Sequence, residues 1–234
     1  GRNYTYSATG DIASRYSSAN SNRLDYTYDS LGGLLKVIRT NQNFTTGVIT
    51  VDTFDYLNDG MGRRIGVMKN GAVQERYIYD EQGRLAAEIN NVNGKIFTHF
   101  VYATRSHSPD YFIRGNVKYK IVQDQLGSVR MVINTSTGAI ESQINYDEFG
   151  KITSSVASGF QPLGYAGGLR DAATGLVRFG ARDYDPEAGR WTSKDPILFG
   201  GGDTNLYGYV LSDPVNLIDP SGLNGIPRID DEID

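Results

Sequence analysis

The sequence contains no cysteine, which excludes disulfides, thiol nucleophiles and cysteine-ligated zinc. It does not fix the compartment, because many secreted bacterial proteins also lack cysteine. Histidine is almost as scarce: His99 and His107 lie eight residues apart without a partner pattern, so no metal site and no cofactor is expected. There is no run of lysine and arginine, and the formal net charge is −4, which argues against a nucleic-acid binder needing a basic patch. No apolar stretch reaches the length of a membrane span, and no signal peptide precedes Gly1. A start at glycine rather than methionine reads as a fragment or processed product. Serine-nucleophile motifs, phosphate loops and dinucleotide fingerprints are missing too. Gly200-Gly201-Gly202-Asp203 lacks the Lys-Ser/Thr of a phosphate loop and reads as a flexible turn.

What is plentiful is glycine, 28 residues, and tyrosine, 16 residues, in a chain of 234 with only seven prolines. Aromatics favour strands and glycine supplies turn geometry, so this balance predicts many short strands joined by tight turns. A strand residue, an acidic turn and a glycine recur along the chain. Tyr28-Asp29-Ser30-Leu31-Gly32, Tyr79-Asp80-Glu81-Gln82-Gly83 and Tyr146-Asp147-Glu148-Phe149-Gly150 are the clearest copies. Weaker ones are Tyr6 to Gly10, Asp59 to Gly62 and Gln123 to Gly127. The glycines at 10, 32, 62, 83, 127 and 150 are 22, 30, 21, 44 and 23 residues apart. The long gap corresponds to two units, with a degenerate copy expected between Tyr102 and Tyr111. In each unit tyrosine ends a strand, aspartate caps the turn and glycine takes the positive φ, giving a β-hairpin. Asn70-Gly71 and Asn93-Gly94 are read as type I′ turns between units, and Thr45-Thr46-Gly47 and Thr135 to Gly138 as longer versions. Two-residue alternation in Arg76 to Tyr79 and Thr98 to Tyr102 gives a sheet with one apolar face. No segment reads as a helix.

The chain changes character between Ser154 and Gly164, placing a soft boundary inside one continuous sheet. Beyond it Asp185, Asp195, Asp213 and Asp219 each precede proline. Proline fixes its own φ and moves the preceding residue out of the helical region, so this stretch is a series of short extended pieces and turns. From spacing alone these aspartates read chiefly as turn formers.

The stretch Tyr184-Asp185-Pro186, Gly189-Arg190-Trp191, Asp195-Pro196-Ile197, Asn205-Leu206-Tyr207, Tyr209-Val210 and Asp219-Pro220-Ser221-Gly222-Leu223 closely resembles the core signature of the Rhs/YD-repeat family of polymorphic-toxin and toxin-complex proteins. The resemblance implies an all-β fold, in which hairpins form one long curved sheet belonging to the end of a hollow shell. Residues 1–160 would be the repeat sheet, 161–223 the Rhs-associated core segment that plugs inward, and 224–234 an acidic, flexible tail. Too few repeats are present to close a shell, so the first strand would be an exposed edge. The implied partners are a C-terminal toxin cargo, the remaining shell repeats and secretion-system or toxin-complex components. The implied location is secreted or cell-surface, reached through a bacterial secretion system such as type VI.

Family members with this ending cut themselves after the leucine of the Asp-Pro-x-Gly-Leu motif. The resemblance therefore assigns the Leu223–Asn224 bond as the cleavage point of a single-turnover aspartyl-type autoprotease. Asp195 and Asp219 would form the pair, Arg190 would support it by charge, and Asp213 is a substitute. Two carboxylates brought close cannot both ionise: one activates water while the protonated partner stabilises the oxyanion and then protonates the leaving nitrogen. Asn224-Gly225 offers a second route, succinimide formation, which would break the chain one bond later. The alternative to a toxin shell is a non-catalytic surface or wall-associated module whose tyrosines bind carbohydrate. Tyrosines in such numbers are more often cross-strand packing.

Overall fold

The computed structural model describes residues 1–19 and 21–224, together with the backbone of Ile226–Pro227. Its main feature is a fourteen-stranded antiparallel meander in strict chain order. The strands are β1 (Arg2–Tyr6), β2 (Ile12–Ser17), β3 (Asn22–Tyr28), β4 (Leu34–Gln42), β5 (Ile49–Asn58), β6 (Arg64–Lys69) and β7 (Ala72–Tyr79). They continue with β8 (Leu85–Ile89), β9 (Ile96–Val101), β10 (Tyr111–Arg114), β11 (Val117–Gln123), β12 (Val129–Asn134), β13 (Ile140–Tyr146) and β14 (Ile152–Val156). β1 and β14 each have one neighbour and form the two edges. Among the described residues the only helical pieces are three short 3₁₀ turns.

The repeat has a consistent local chemistry. Asp29, Asp59, Asp80, Asp124 and Asp147 each accept, through Oδ1, the backbone N–H groups two and four residues on, at 2.8–3.1 Å. The glycine three residues on donates its N–H to the aspartate carbonyl and takes a φ between +78° and +85°. After each such turn the pairing skips one residue, as where Tyr28 faces Leu34 but Thr27 faces Lys36. The same skip follows Tyr6, Asn58, Tyr79, Gln123 and Tyr146. An extra residue on one strand is a β-bulge, which bends the strand and raises its twist. Repeated once per unit, it curves the sheet.

Tyrosine does more than end a strand. The Tyr28 hydroxyl donates to the Ile12 carbonyl at 3.0 Å, Tyr79 to Arg64 at 2.7 Å and Tyr102 to Leu85 at 3.0 Å. In each case the acceptor is the second residue after the preceding unit's turn glycine. Asn58 fills the same place with its amide, donating to Leu34 at 3.1 Å. Arg63 and Arg84, next to their turn glycines, pair with Asp59 and Asp80 at 2.6 and 2.7 Å. Their guanidinium groups lie 5.2 and 4.4 Å from the ring centres of Tyr79 and Tyr102. Each unit is thus latched to the one before it.

Three expectations are corrected. Asn70-Gly71 is a hairpin turn with both φ angles positive, whereas Asn93 is not left-handed. The Asn93-Gly94 turn is organised by Asn90, whose Oδ1 accepts from Val92 and Asn93. Asn43 and Asn134 act alike in their own loops. Between β9 and β10 there is no Asp-x-x-Gly copy; Asp110 caps backwards, accepting from Ala103 and Thr104 at 2.7 and 2.9 Å. The segment after Val156 does not extend the meander. It builds its own sheet from β15 (Leu169–Arg170), β16 (Val177–Phe179), β17 (Arg182–Asp185) and β18 (Arg190–Trp191), plus the pair β19 (Leu217–Ile218) and β20 (Ile226–Pro227). Residues 225 and 228–234 of the expected tail lie outside the described residues.

This second segment covers the apolar face of the meander. Leu176 joins Ile12, Leu24, Tyr26, Phe54 and Tyr56, while Leu163 and Leu169 join Tyr77, Phe100, Phe112 and Ile121. Its own centre is aromatic: Tyr184, Trp191, Tyr209 and Phe179, with the Tyr184 and Tyr209 rings 4.3 Å apart. The curvature is strong enough that Arg2 on β1 and Lys151 before β14 both reach Glu187, at 2.8 and 3.2 Å. Buried ion pairs set the register of the two layers. Asp183 pairs with Arg64 of the meander at 3.1 Å and with Arg178 at 2.6 Å, and Asp185 pairs with Arg15 at 3.1 Å.

Two stability changes follow from these contacts. Tyr79→Phe removes one hydroxyl latch and lowers the unfolding free energy by about 1 kcal/mol. Asp183→Ala leaves two buried guanidinium groups uncompensated and costs about 3–5 kcal/mol. Urea unfolding of both variants beside the parent measures the difference, and equal losses would contradict the ion-pair account of docking.

Candidate functional site

Asp195 and Asp219 arrive from different turns of the second segment. Asp195 follows β18; its N–H donates to the Leu206 carbonyl at 3.0 Å and its Oδ1 accepts the Ile197 N–H at 2.9 Å. One oxygen therefore caps the Asp-Pro turn, which leaves Oδ2 free to face inward. Asp219 directly follows β19. Its Oδ1 accepts the Ser221 hydroxyl at 2.8 Å and the N–H groups of Leu223 and Asn224, both at 3.1 Å. The Asn224 N–H belongs to the very peptide bond singled out in the sequence.

The two free oxygens meet at Arg182 on β17. Its Nη2 lies 2.8 Å from Asp195 Oδ2 and 3.5 Å from Asp219 Oδ2. Its Nε donates to the Gly222 carbonyl, and its guanidinium stacks 4.2 Å from the ring centre of Trp191. All three charged residues are buried. Gly222 is required here, since its φ is +69° and a Cβ would press on the Phe179 carbonyl. That tight approach places the Leu223 turn against β17. A cavity of about 210 Å³ opens beside the group, lined by Arg182, Asp195, Gly201, Leu206, Asp219 and Leu223 among others.

The electrostatics are uneven. Burial pushes the Asp195 carboxyl up from its usual range, and the nearby Asp219 charge adds to this, against the opposing pull of the Ile197 N–H and Arg182. Burial lowers Arg182, with both carboxylates acting the other way. One guanidinium thus faces two carboxyl groups, leaving the trio one positive charge short of neutrality when both carboxyls are ionised.

The structure thus brings Asp195, Asp219, Leu223 and Asn224 together, and it separates the other two candidates from them. Arg190 lies elsewhere: its guanidinium donates to the Gly10 and Trp191 carbonyls at 3.3 Å and stacks on Tyr207 and Tyr6. It ties the second segment to the first hairpin. Asp213 accepts both its side-chain contacts from the Asn216 amide, at 3.0 Å, and closes a turn. The arginine at the pair is Arg182, which sequence reasoning missed. Arg170, Arg178, Arg182 and Arg190 all fall near the signature, and the spacing contains nothing that chooses among them. Asn224 is described but Gly225 is not, so the succinimide route lies outside the described residues. Among the described residues no cluster of three or more potential metal ligands is found, and no helix is long and apolar enough to cross a membrane.

Comparison with known proteins bears on this arrangement. Zebrafish (Danio rerio) Teneurin-3 is 28% identical over 207 residues, 82% of this chain and 7% of its own length. "Probable deoxyribonuclease RhsA" of Dickeya dadantii is 31% identical over 187 residues, 74% of this chain and 12% of that protein. This chain therefore spans only a small part of these relatives. Among solved structures, the TcdB2-TccC3 complex without its hypervariable C-terminal region aligns with 95% of this chain and 17% of its own, at 17% identity and a TM-score of 0.43. The family model described as Teneurin YD-shell matches residues 1–215. With that match spanning the meander and most of the second segment, the chain belongs to the YD-shell family that includes YD-repeat and Rhs proteins.

Proposed function

We propose that this chain is the C-terminal part of an Rhs-type shell that encloses a C-terminal toxin domain and cuts itself once after Leu223. The observation that carries the reading is the contact of the Asn224 amide with Asp219 while Asp219 and Asp195 share one arginine. The enclosing role is supported by a sheet whose edge strands, β1 and β14, each have one partner among the described residues, and by family membership. The partners are then the cargo, the remaining repeats and components of a toxin complex or secretion system, with the assembled protein secreted or cell-surface.

The geometry suggests a division of labour. Asp195, whose proton is retained more readily, faces the Leu223 carbonyl side and donates to that oxygen. Asp219 takes a proton from the attacking water and stands next to the leaving nitrogen. The water oxygen bonds to the Leu223 carbon, the carbon–nitrogen bond breaks, and the Asn224 nitrogen takes the proton held by Asp219. The products are a carboxyl-terminal Leu223 and an amino-terminal Asn224. Arg182 holds both carboxyl groups in register and offsets the remaining negative charge. The carbohydrate-binding alternative has less support, because Tyr26, Tyr56, Tyr77, Tyr165, Tyr184 and Tyr209 are buried.

The test is the complete polypeptide carrying a reporter domain after Asp234, with products weighed over time in ordinary and ¹⁸O-labelled water. A cut after Leu223 that places ¹⁸O in the new carboxyl group is expected. Asp195→Asn and Asp219→Asn each slow it by about 10²–10⁴-fold, the usual contribution of a general acid or base. An uncut parent, or unchanged cutting in both variants, removes these residues from the mechanism. Cutting falls as pH rises through the raised Asp195 value, because its proton is lost. Stability follows the same sign. A carboxyl raised in the folded state stabilises below its unfolded value and loses that contribution as pH rises through the folded one. Asp195→Asn is therefore expected to melt higher than the parent at neutral pH, with the gap closing in acid, as read by thermal melts across pH.

A further inference from the structure

Gly200, Gly201 and Gly202 stand together in the turn that follows Asp195, and they differ in what a side chain would meet. Gly202 has a φ of +82° and open space where a side chain would go, so the turn itself requires it. A Cβ at Gly200 would meet only the Ile197 side chain, at 3.7–3.8 Å, an ordinary contact. Gly201 is outside the left-handed region, so its torsions admit any residue. Its constraint is space. A Cβ there would stand 2.7 Å from the Leu223 carbonyl oxygen and 2.8 Å from Asp195 Oδ2, both inside the 3.0 Å that real Cβ contacts essentially never cross.

Neither oxygen is free to move aside. Leu223 and its following amide are both tied to Asp219 through their N–H groups, and Asp195 is fixed by the Ile197 N–H and Arg182. The bare Cα of Gly201 is thus the wall of the passage between the carbonyl oxygen and the carboxyl that would protonate it. Neither Gly200 nor Gly202 has this position.

We propose that Gly201 is a positioning residue for the cut after Leu223, its missing side chain giving the Leu223 carbonyl oxygen clearance to reach the Asp195 carboxyl. The inference rests on the self-cleavage reading above and adds a requirement to it. As water adds to the Leu223 carbon and gives its proton to Asp219, the carbonyl oxygen takes a proton from Asp195. On collapse that proton returns to Asp195, and the electron pair of the broken bond stays on the Asn224 nitrogen, which is protonated by Asp219. A methyl at position 201 lies in the path of the Asp195 transfer and not in that of the Asp219 transfer.

The experiment compares the parent with Gly201→Ala, Gly200→Ala and Gly208→Ala in the complete polypeptide, following cutting by intact mass and stability by thermal melting. Gly208 is the matched control: it lines the same cavity, but its Cβ would strike Asp203 and Asn205. Rates are read at the same interval below each variant's melting temperature, so that a loss of fold does not count as a loss of reaction. Gly201→Ala is expected to cut at least about 100-fold more slowly than Gly208→Ala at that interval, with Gly200→Ala within about twofold of the parent. Cutting by Gly201→Ala at the rate of Gly208→Ala overturns the proposal even where Asp195→Asn has lost the reaction. An intact parent instead overturns the cleavage reading and this inference with it, and an Asp195→Asn that cuts at the parent's rate removes Asp195, and with it this inference.

Discussion

Four consecutive side chains, Arg182, Asp183, Tyr184 and Asp185, are all buried, and three of them are charged. A buried charge without a partner costs several kcal/mol, so this strand holds only if every member finds its counterpart at once. Asp183 finds Arg64 and Arg178, and Asp185 finds Arg15 and the Tyr4 hydroxyl. Tyr184 donates to the Phe149 carbonyl and packs on Trp191 and Tyr209. Arg182 finds the Asp195–Asp219 pair. The meander, the aromatic centre and the candidate site are therefore joined through one tetrapeptide. A hydrophobic strand could pack there with similar energy, but it would leave the register of the two layers weakly specified.

The meander was legible because its information is local. An aspartate two residues from one N–H and four from another can be read from any single copy of the repeat, as can the glycine that follows. The bulge after each turn was not legible, although it recurs with the same period. Which residue is left unpaired depends on the neighbouring strand, and a single strand's alternation does not record it. Tyrosine was read as a strand end, while its latch to the previous unit joins residues fifteen to seventeen apart in sequence. Asn93-Gly94 shows the opposite failure: a strong local signal was overruled by Asn90, three residues earlier, which organised a longer loop.

At the site, the aspartates could be named because proline after them is conspicuous and the family signature covers them. Their arginine could not. Arg190 adjoins the most recognisable part of the signature, yet it faces the first hairpin, while Arg182 reaches the pair from the opposite strand. Direction within a short strand decides this, and all four residues of β17 are buried, so no polar–apolar alternation remained to give it. The turn-former reading and the proposed role do not exclude each other. Asp195 uses one oxygen for the turn and offers the other to Arg182, so the cap is what aims the free oxygen.

This sharing has a consequence for order. The Leu223 turn is held by contacts to Asp219, Gly222 sits against β17, and Asp195 is placed by Leu206. Arg182, Asp195 and Asp219 are far apart in an extended chain. The pair, its arginine and the Leu223–Asn224 bond come together only in the folded second segment. A reaction assembled from these parts cannot run on an unfolded chain, where the carboxyl groups are solvated and apart. In the proposed shell, separation of the cargo would thus wait on folding of this segment, whose own Leu223 turn would be the substrate. Such coupling needs no separate signal, because the buried charges that hold the strand in place are the same ones that surround the Leu223–Asn224 bond.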